Sequence, residues 1–199
     1  MKSLYIILTR TESAVSRIVH LMTADMYTHV SISFDASFSV IYSSARKNGR
    51  TMFPAGPCRE YLNRGFYMRE GRTPCAVYEL IVPDEVYDAA FKEVKFFMDN
   101  QDSYSFNGLG LISCRFGIPL HRKRHFFCSQ FVGEILLRSG AAILPKDTAL
   151  MRPSDYMLLP ELNCLFQGDI GDIHSLRRKA YNGSIINVVV SQEEPTKKK

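Results

Sequence analysis

HFFCSQFVGEILLRSG, residues 125–140, sets a cysteine where an extended segment gives way to a helix. Cys128, Phe131, Val132, Ile135 and Leu136 recur at helical spacing and form one apolar stripe. Gly140 closes the segment as a left-handed stop. Cys128 therefore belongs to the first turn, on the face that packs against the rest of the chain. Unpaired N–H groups and the helix dipole stabilise negative charge there. A thiolate is the nucleophilic form of cysteine, and the basic run His121-Arg122-Lys123-Arg124-His125 adds positive potential just upstream. A small buried side chain at a helix start is the plainer role.

A thiolate nucleophile needs an imidazole to hold it and later to protonate the leaving group. The histidines are His20, His29, His121, His125 and His174. His20 falls late on a first helix, and His174 lies near the C-terminal end. His121, His125 and Cys128 spell HxxxHxxC, but no fourth ligand stands at a recognised spacing and the flanking cations repel a metal ion. No metal and no cofactor is expected. His29 opens THVSISFD, residues 28–35, where Val30, Ile32 and Phe34 alternate with His29, Ser31 and Ser33. Period two makes this a strand with two distinct faces, and a strand holds a base more rigidly than a loop does. Asp35-Ala36-Ser37 turns the chain, and FSVIYSSA, residues 38–45, returns as the second arm of a hairpin.

Around this pair the remaining elements can be placed. SLYIIL, residues 3–8, reads as a buried strand, and Thr9 with Glu12 as a capping box opening a helix whose stripe is Val15, Ile18, Val19 and Met22. Residues 46–74, rich in Arg, Gly, Pro and Asn, read as a long loop or flap. CAVYELIVP, residues 75–83, is a strand, followed by a helix with Val86, Ala90, Val94, Phe97 and Met98 on its apolar face. Residues 102–120 have no clear pattern. RPSDYM, residues 152–157, suggests a short helical turn capped by Ser154 or Asp155. NCLFQ, residues 163–167, and residues 185–190 suggest further strands. Helices and strands mix without strict βαβ alternation, so the fold class is α+β. One domain over residues 1–190 with a disordered basic tail, residues 191–199, accounts for the 199-residue chain.

Composition narrows the functional classes. Hydrophobic residues make up 46% and charged residues 23% of the chain, as in ordinary globular domains. Mean hydropathy is −0.10, and no apolar run is long enough to span a bilayer. The apolar start is broken by Arg10 and Glu12, and no small-residue cleavage site follows, so a first strand and helix are expected rather than an export signal. Five scattered cysteines without a CxxC pair favour reduced thiols and a cytoplasmic setting. The net charge of +5 and pI near 9.0 come partly from the basic run and from Lys197-Lys198-Lys199. A modest attraction to anionic lipid or polymer follows, but no nucleic-acid module is visible and no nucleic-acid partner is expected.

THVSISFD, the SVIYSSA return strand, and much later FFCSQFV opening a helix together resemble the circularly permuted papain-like hydrolases. These are relatives of the NlpC-type peptidases and include the YiiX-like proteins and lecithin:retinol acyltransferase. In that permuted order the histidine strand precedes the cysteine helix, as His29 precedes Cys128 here. The resemblance spans most of residues 3–160. It implies an antiparallel sheet or barrel packed on a central helix, with Cys128 as nucleophile, His29 as base and the Cys128 backbone N–H as oxyanion donor. It also implies a polar third residue on the next strand. Counting along the hairpin puts that position near Tyr42, with Ser43 or Ser44 as alternatives; none is an acid or a histidine. Ser129, Gln130 and Tyr27 are candidates to contact substrate.

The implied activity is hydrolysis or acyl transfer at an amide or ester bond through a thioester, on a small peptide, a muropeptide or a lipid acyl group. The alternative is a ligand-binding module on the same fold whose chemistry has decayed, a reading that rests on the hydroxyl-only third position.

Overall fold

In a computed structural model, residues 1–11, 16, 20, 25–47, 54–62, 67 and 72–173 are described. The stripe of the first helix, the strand expected at 185–190, His174 and the basic tail lie outside the described residues. The described chain is mixed α+β. Six strands form one antiparallel sheet in the order β4-β3-β2-β1-β5-β8. They are β1 (Lys2–Thr9), β2 (His29–Ser33), β3 (Ile41–Arg46), β4 (Ala55–Glu60), β5 (Pro74–Val82) and β8 (Asn163–Asp169). A short parallel pair, β6 (Ser105–Phe106) and β7 (His125–Phe126), stands apart from it. Three α-helices are described: α1 (Asp84–Asp99), α2 (Gly108–Arg115) and α3 (Cys128–Ser139).

The period-two strands bury both faces. Leu4, Ile6, Leu8, Val30 and Ile32 point into one core with the apolar stripes of α1 and α3. Tyr5, Ile7, Ile41, Cys75 and Val77 form a second core with Phe166 and Ile170 on the opposite side. Each aliphatic side chain so buried contributes about 1.5–3 kcal/mol. Helix α1 follows Pro83, and Asp84 and Glu85 in its first turn suit the dipole; its buried residues are Ala90, Val94, Phe97 and Met98. Phe97 then meets Phe131 of α3 edge-on at 5.1 Å and Phe126 of β7 at 5.4 Å. That aromatic contact sets the start of α3 against the sheet. The helix ends at Gly140 with φ of 71°, where a residue with a Cβ would be strained.

Two sequence expectations change. Residues 46–74 are not a continuous loop: Ala55–Glu60 forms β4, paired with β3 from Ile41↔Glu60 to Arg46↔Ala55. As the edge strand it accommodates Pro57, which a central strand would not. Gly56 allows β4 to lie close to the backbone of Tyr104 and Ser105; a Cβ there would sit 2.9 Å from the Tyr104 carbonyl oxygen. The unpatterned region 102–120 contains α2, capped by Asn107, whose side chain accepts from the Gly110 N–H at 3.0 Å. RPSDYM is a 3₁₀ turn over Pro153–Leu158. Its cap is Asp155, which accepts from the Arg152 N–H at 2.6 Å, while Ser154 donates to Asp25 at 3.0 Å. Among the described residues no helix is long and apolar enough to cross a membrane.

Candidate active site

His29 stands at the first position of β2, opposite Thr9 of β1. Its ring bridges two groups. Nε2 lies 2.8 Å from Oε1 of Glu60, the last residue of β4. Cys128, the first residue of α3, lies near enough to the same ring to favour its charged form. Strand, edge strand and helix start thus converge on one point from three separate parts of the sequence.

Glu60 is itself held. Ser43 donates to Oε1, and the Tyr67 hydroxyl donates to Oε2 at 3.2 Å. Burial disfavours the carboxylate, but the His29 charge and the donors His29, Ser43 and Tyr67 outweigh it and leave the acid below its ordinary range. Burial likewise opposes a charged His29. The Glu60 carboxylate, followed by nearby Cys128, overcomes that and pushes the imidazole from 6.5 up to about 10. Tyr67 is driven well above its ordinary range by burial and then by the Glu60 charge, so it remains a protonated donor. The His29 and Glu60 side chains are only 15% and 18% exposed, which limits screening of the pair by water.

Among Tyr42, Ser43, Ser44 and Glu60, it is Glu60 whose side chain meets His29. Tyr42 pairs with Ile32, so alternation puts it on the apolar side of the hairpin, and its ring meets Phe34 edge-on at 6.0 Å. Ser43 pairs with Cys58 on β4 and touches Glu60 rather than His29. Ser44 donates to the carbonyl of Phe126 at 2.6 Å, anchoring the segment that leads into Cys128. Both serines therefore support the site at one remove. One signal in the sequence marks the acid: between Asp35 and Glu79 the only carboxylates are Glu60 and Glu70.

The residues expected to contact substrate point inward. Ser129 is 1% exposed and donates to the Met151 carbonyl at 2.6 Å. Gln130, equally buried, accepts from the Asn107 side chain at 3.3 Å and joins α3 to α2. Tyr27 is packed in the helix-side core. All three side chains are buried in the packing and hydrogen bonds of the scaffold. Tyr156 adds to the scaffold by donating to the Ser129 carbonyl at 2.6 Å.

The HxxxHxxC spacing does not converge. His121 pairs with Asp147 at 2.9 Å, and Nδ1 of His125 meets the Lys123 carbonyl at 2.7 Å. Among the described residues no group of three or more His, Cys, Asp or Glu is placed to hold a metal ion. Three of the other cysteines are buried in settings that disfavour the thiolate. Burial pushes Cys58 and Cys75 up to about 12, and it raises Cys114 as well. Cys164 is exposed on β8.

Compared with protein-family models and with curated proteins, the chain matches none.

Proposed function

We propose that this protein is a cysteine hydrolase or acyltransferase of the permuted papain-like type, with Cys128 as nucleophile, His29 as acid and base, and Glu60 orienting His29. The observation that carries the reading is one imidazole fixed by a buried carboxylate and electrostatically coupled to Cys128, which stands at a helix start. That is the constellation a nucleophile, its base and the base's orienting group require. The order along the chain, histidine strand before cysteine helix, and the antiparallel sheet packed on α3 support the permuted fold.

In this mechanism the Cys128 sulfur attacks the carbonyl carbon of an amide or ester. The developing oxyanion meets the Cys128 backbone N–H, which as the first of the helix lacks an intrahelical acceptor. His29, charged through its contact with Glu60, gives its proton to the departing amine or alcohol as the carbon–heteroatom bond breaks. A thioester remains. The neutral imidazole then takes a proton from water or another acceptor, which attacks the thioester and releases the thiolate. The substrate class, a small peptide, a muropeptide or a lipid acyl group, follows from the family resemblance. The Glu60 carboxylate beside His29 weighs against the decayed binding module, which rested on a hydroxyl-only third position.

Alkylation by iodoacetamide near neutral pH tests this reading. Cys128 is 7% exposed, whereas Cys164 is open to solvent. Cys128 is expected to react faster than Cys164 and the three buried thiols, despite its burial. Labelling in order of exposure, with Cys164 first, sinks the proposal.

A further inference from the structure

Helix α2 is turned inside out. Gly110 and Cys114 are its buried residues, whereas Leu109, Ile112 and Phe116, which share the opposite face at i, i+3 and i+7, are 59%, 50% and 71% exposed. Ile118, just past the helix, is 60% exposed and extends the same apolar surface. Large apolar side chains grouped on a free helix face mark an interaction site. The charge beside them has one sign. From Ser103 to Gly133 the sequence contains no Asp or Glu, while Arg115 ends the helix and Arg122, Lys123 and Arg124 follow it. Lys123 and Arg124 are exposed, and Arg124 holds a φ of 61° that turns the chain sharply ahead of β7. Asp147, an acid that meets this region from elsewhere, pairs with His121.

We propose that α2 and the basic turn after it form a docking surface for an anionic phospholipid bilayer. The apolar face would enter the headgroup–acyl boundary while the cations meet lipid phosphates, the arrangement of an interfacial helix. Apolar exposure combined with cationic flanks selects this partner over a nucleic acid, which would use the cations and leave Leu109, Ile112 and Phe116 in water. The surface is independent of the catalytic reading, although the basic turn runs directly into the segment that ends at Cys128.

Co-sedimentation of the full chain with phosphatidylcholine vesicles, with and without phosphatidylglycerol, tests the proposal. Binding is expected only to the anionic vesicles, and to weaken steeply with added salt. Combined Leu109→Ser, Ile112→Ser and Phe116→Ser substitutions should lower partitioning at least about tenfold, since each removes apolar area from the boundary. Lys123→Gln with Arg124→Gln should lower it severalfold. Cys128→Ser should bind like the parent, so loss of catalysis and loss of docking are separate results. An unchanged iodoacetamide rate at Cys128 in the surface variants shows that the fold is intact. The proposal is overturned if the parent ignores anionic vesicles or if the apolar variant binds as well as the parent. It is equally overturned if only Lys197→Gln/Lys198→Gln/Lys199→Gln abolishes binding, if sedimentation velocity shows the apolar face buried in a dimer, or if an RNA competes equally with and without the apolar substitutions.

Discussion

Nε2 of His29 and Oε1 of Glu60 lie 2.8 Å apart although 31 positions separate the two residues in the chain. The antiparallel run β2-β3-β4 makes that contact, with Ser43 of the middle strand donating to the same carboxylate oxygen. The carboxylate has one strong base to serve and three donors to satisfy it, so its removal should be felt at the histidine first.

Glu60→Gln keeps the shape and removes the charge. The His29 imidazole should then fall from about 10 toward its ordinary 6.5, because burial, which opposes its charge, is no longer outweighed. General acid–base catalysis supplies about 10²–10⁴-fold, and about 10² of kcat should go with the orienting acid while KM changes little. Titration of the His29 ring by NMR and a pH–rate profile check both parts. An unmoved titration would show that Glu60 does not govern the base.

The same pair dictates how stability responds to pH. His29 is raised in the folded state, so its contribution is complete below 6.5 and is lost as pH rises toward about 10. Glu60 is lowered, so its contribution is complete above 4.5 and is lost as pH falls through its depressed folded value. The pair thus stabilises most between 4.5 and 6.5. Urea unfolding across pH should show the parent losing stability on both sides of that window. His29→Gln with Glu60→Gln should flatten the profile over the same range.

The elements legible in the sequence are those with a clean period. The alternation around His29 and the helical stripe from Cys128 to Leu136 each mark an element and a face, and α1 is as plain. Glu60 is hard to read from sequence because its strand breaks the usual pattern. AGPCRE contains a glycine and a proline, which read as loop, and an edge position is what lets them form a strand. Parity decides the place of Tyr42: pairing with Ile32 puts it on the face away from Ser43 and Glu60, and a one-residue offset reverses a strand's faces. Ser129, Gln130 and Tyr27 stand next to the cysteine or the histidine in sequence, yet nearness in sequence says nothing of which side faces water.

Ser44→Ala tests how the nucleophile is positioned. The hydroxyl donates to the Phe126 carbonyl at 2.6 Å, two residues before Cys128, and Ser44 is fully buried. Losing this hydrogen bond costs about 1 kcal/mol of stability, with the carbonyl left underserved. The alkylation rate at Cys128 should fall further than global stability implies, because the strand that sets the start of α3 loosens. Equal small losses in both would assign Ser44 a packing role only.

Gly56→Ala probes the edge strand that carries Glu60. An added Cβ meets the Tyr104 carbonyl oxygen at 2.9 Å, and both partners are backbone, so neither yields as a side chain would. Either β4 or the segment before β6 must move, at a cost of about 1–3 kcal/mol typical of overpacking. For a chain of this size each kcal/mol lowers Tm by about 2–4 °C. If β4 is the element that moves, Glu60 moves with it, and the His29 titration falls as in Glu60→Gln, though less far. If the segment before β6 moves instead, Tm drops while His29 titrates as in the parent. Thermal unfolding and the NMR titration, measured on the same variant, distinguish the two. A parent-like Tm would mean that the close approach of Gly56 to Tyr104 does not constrain β4.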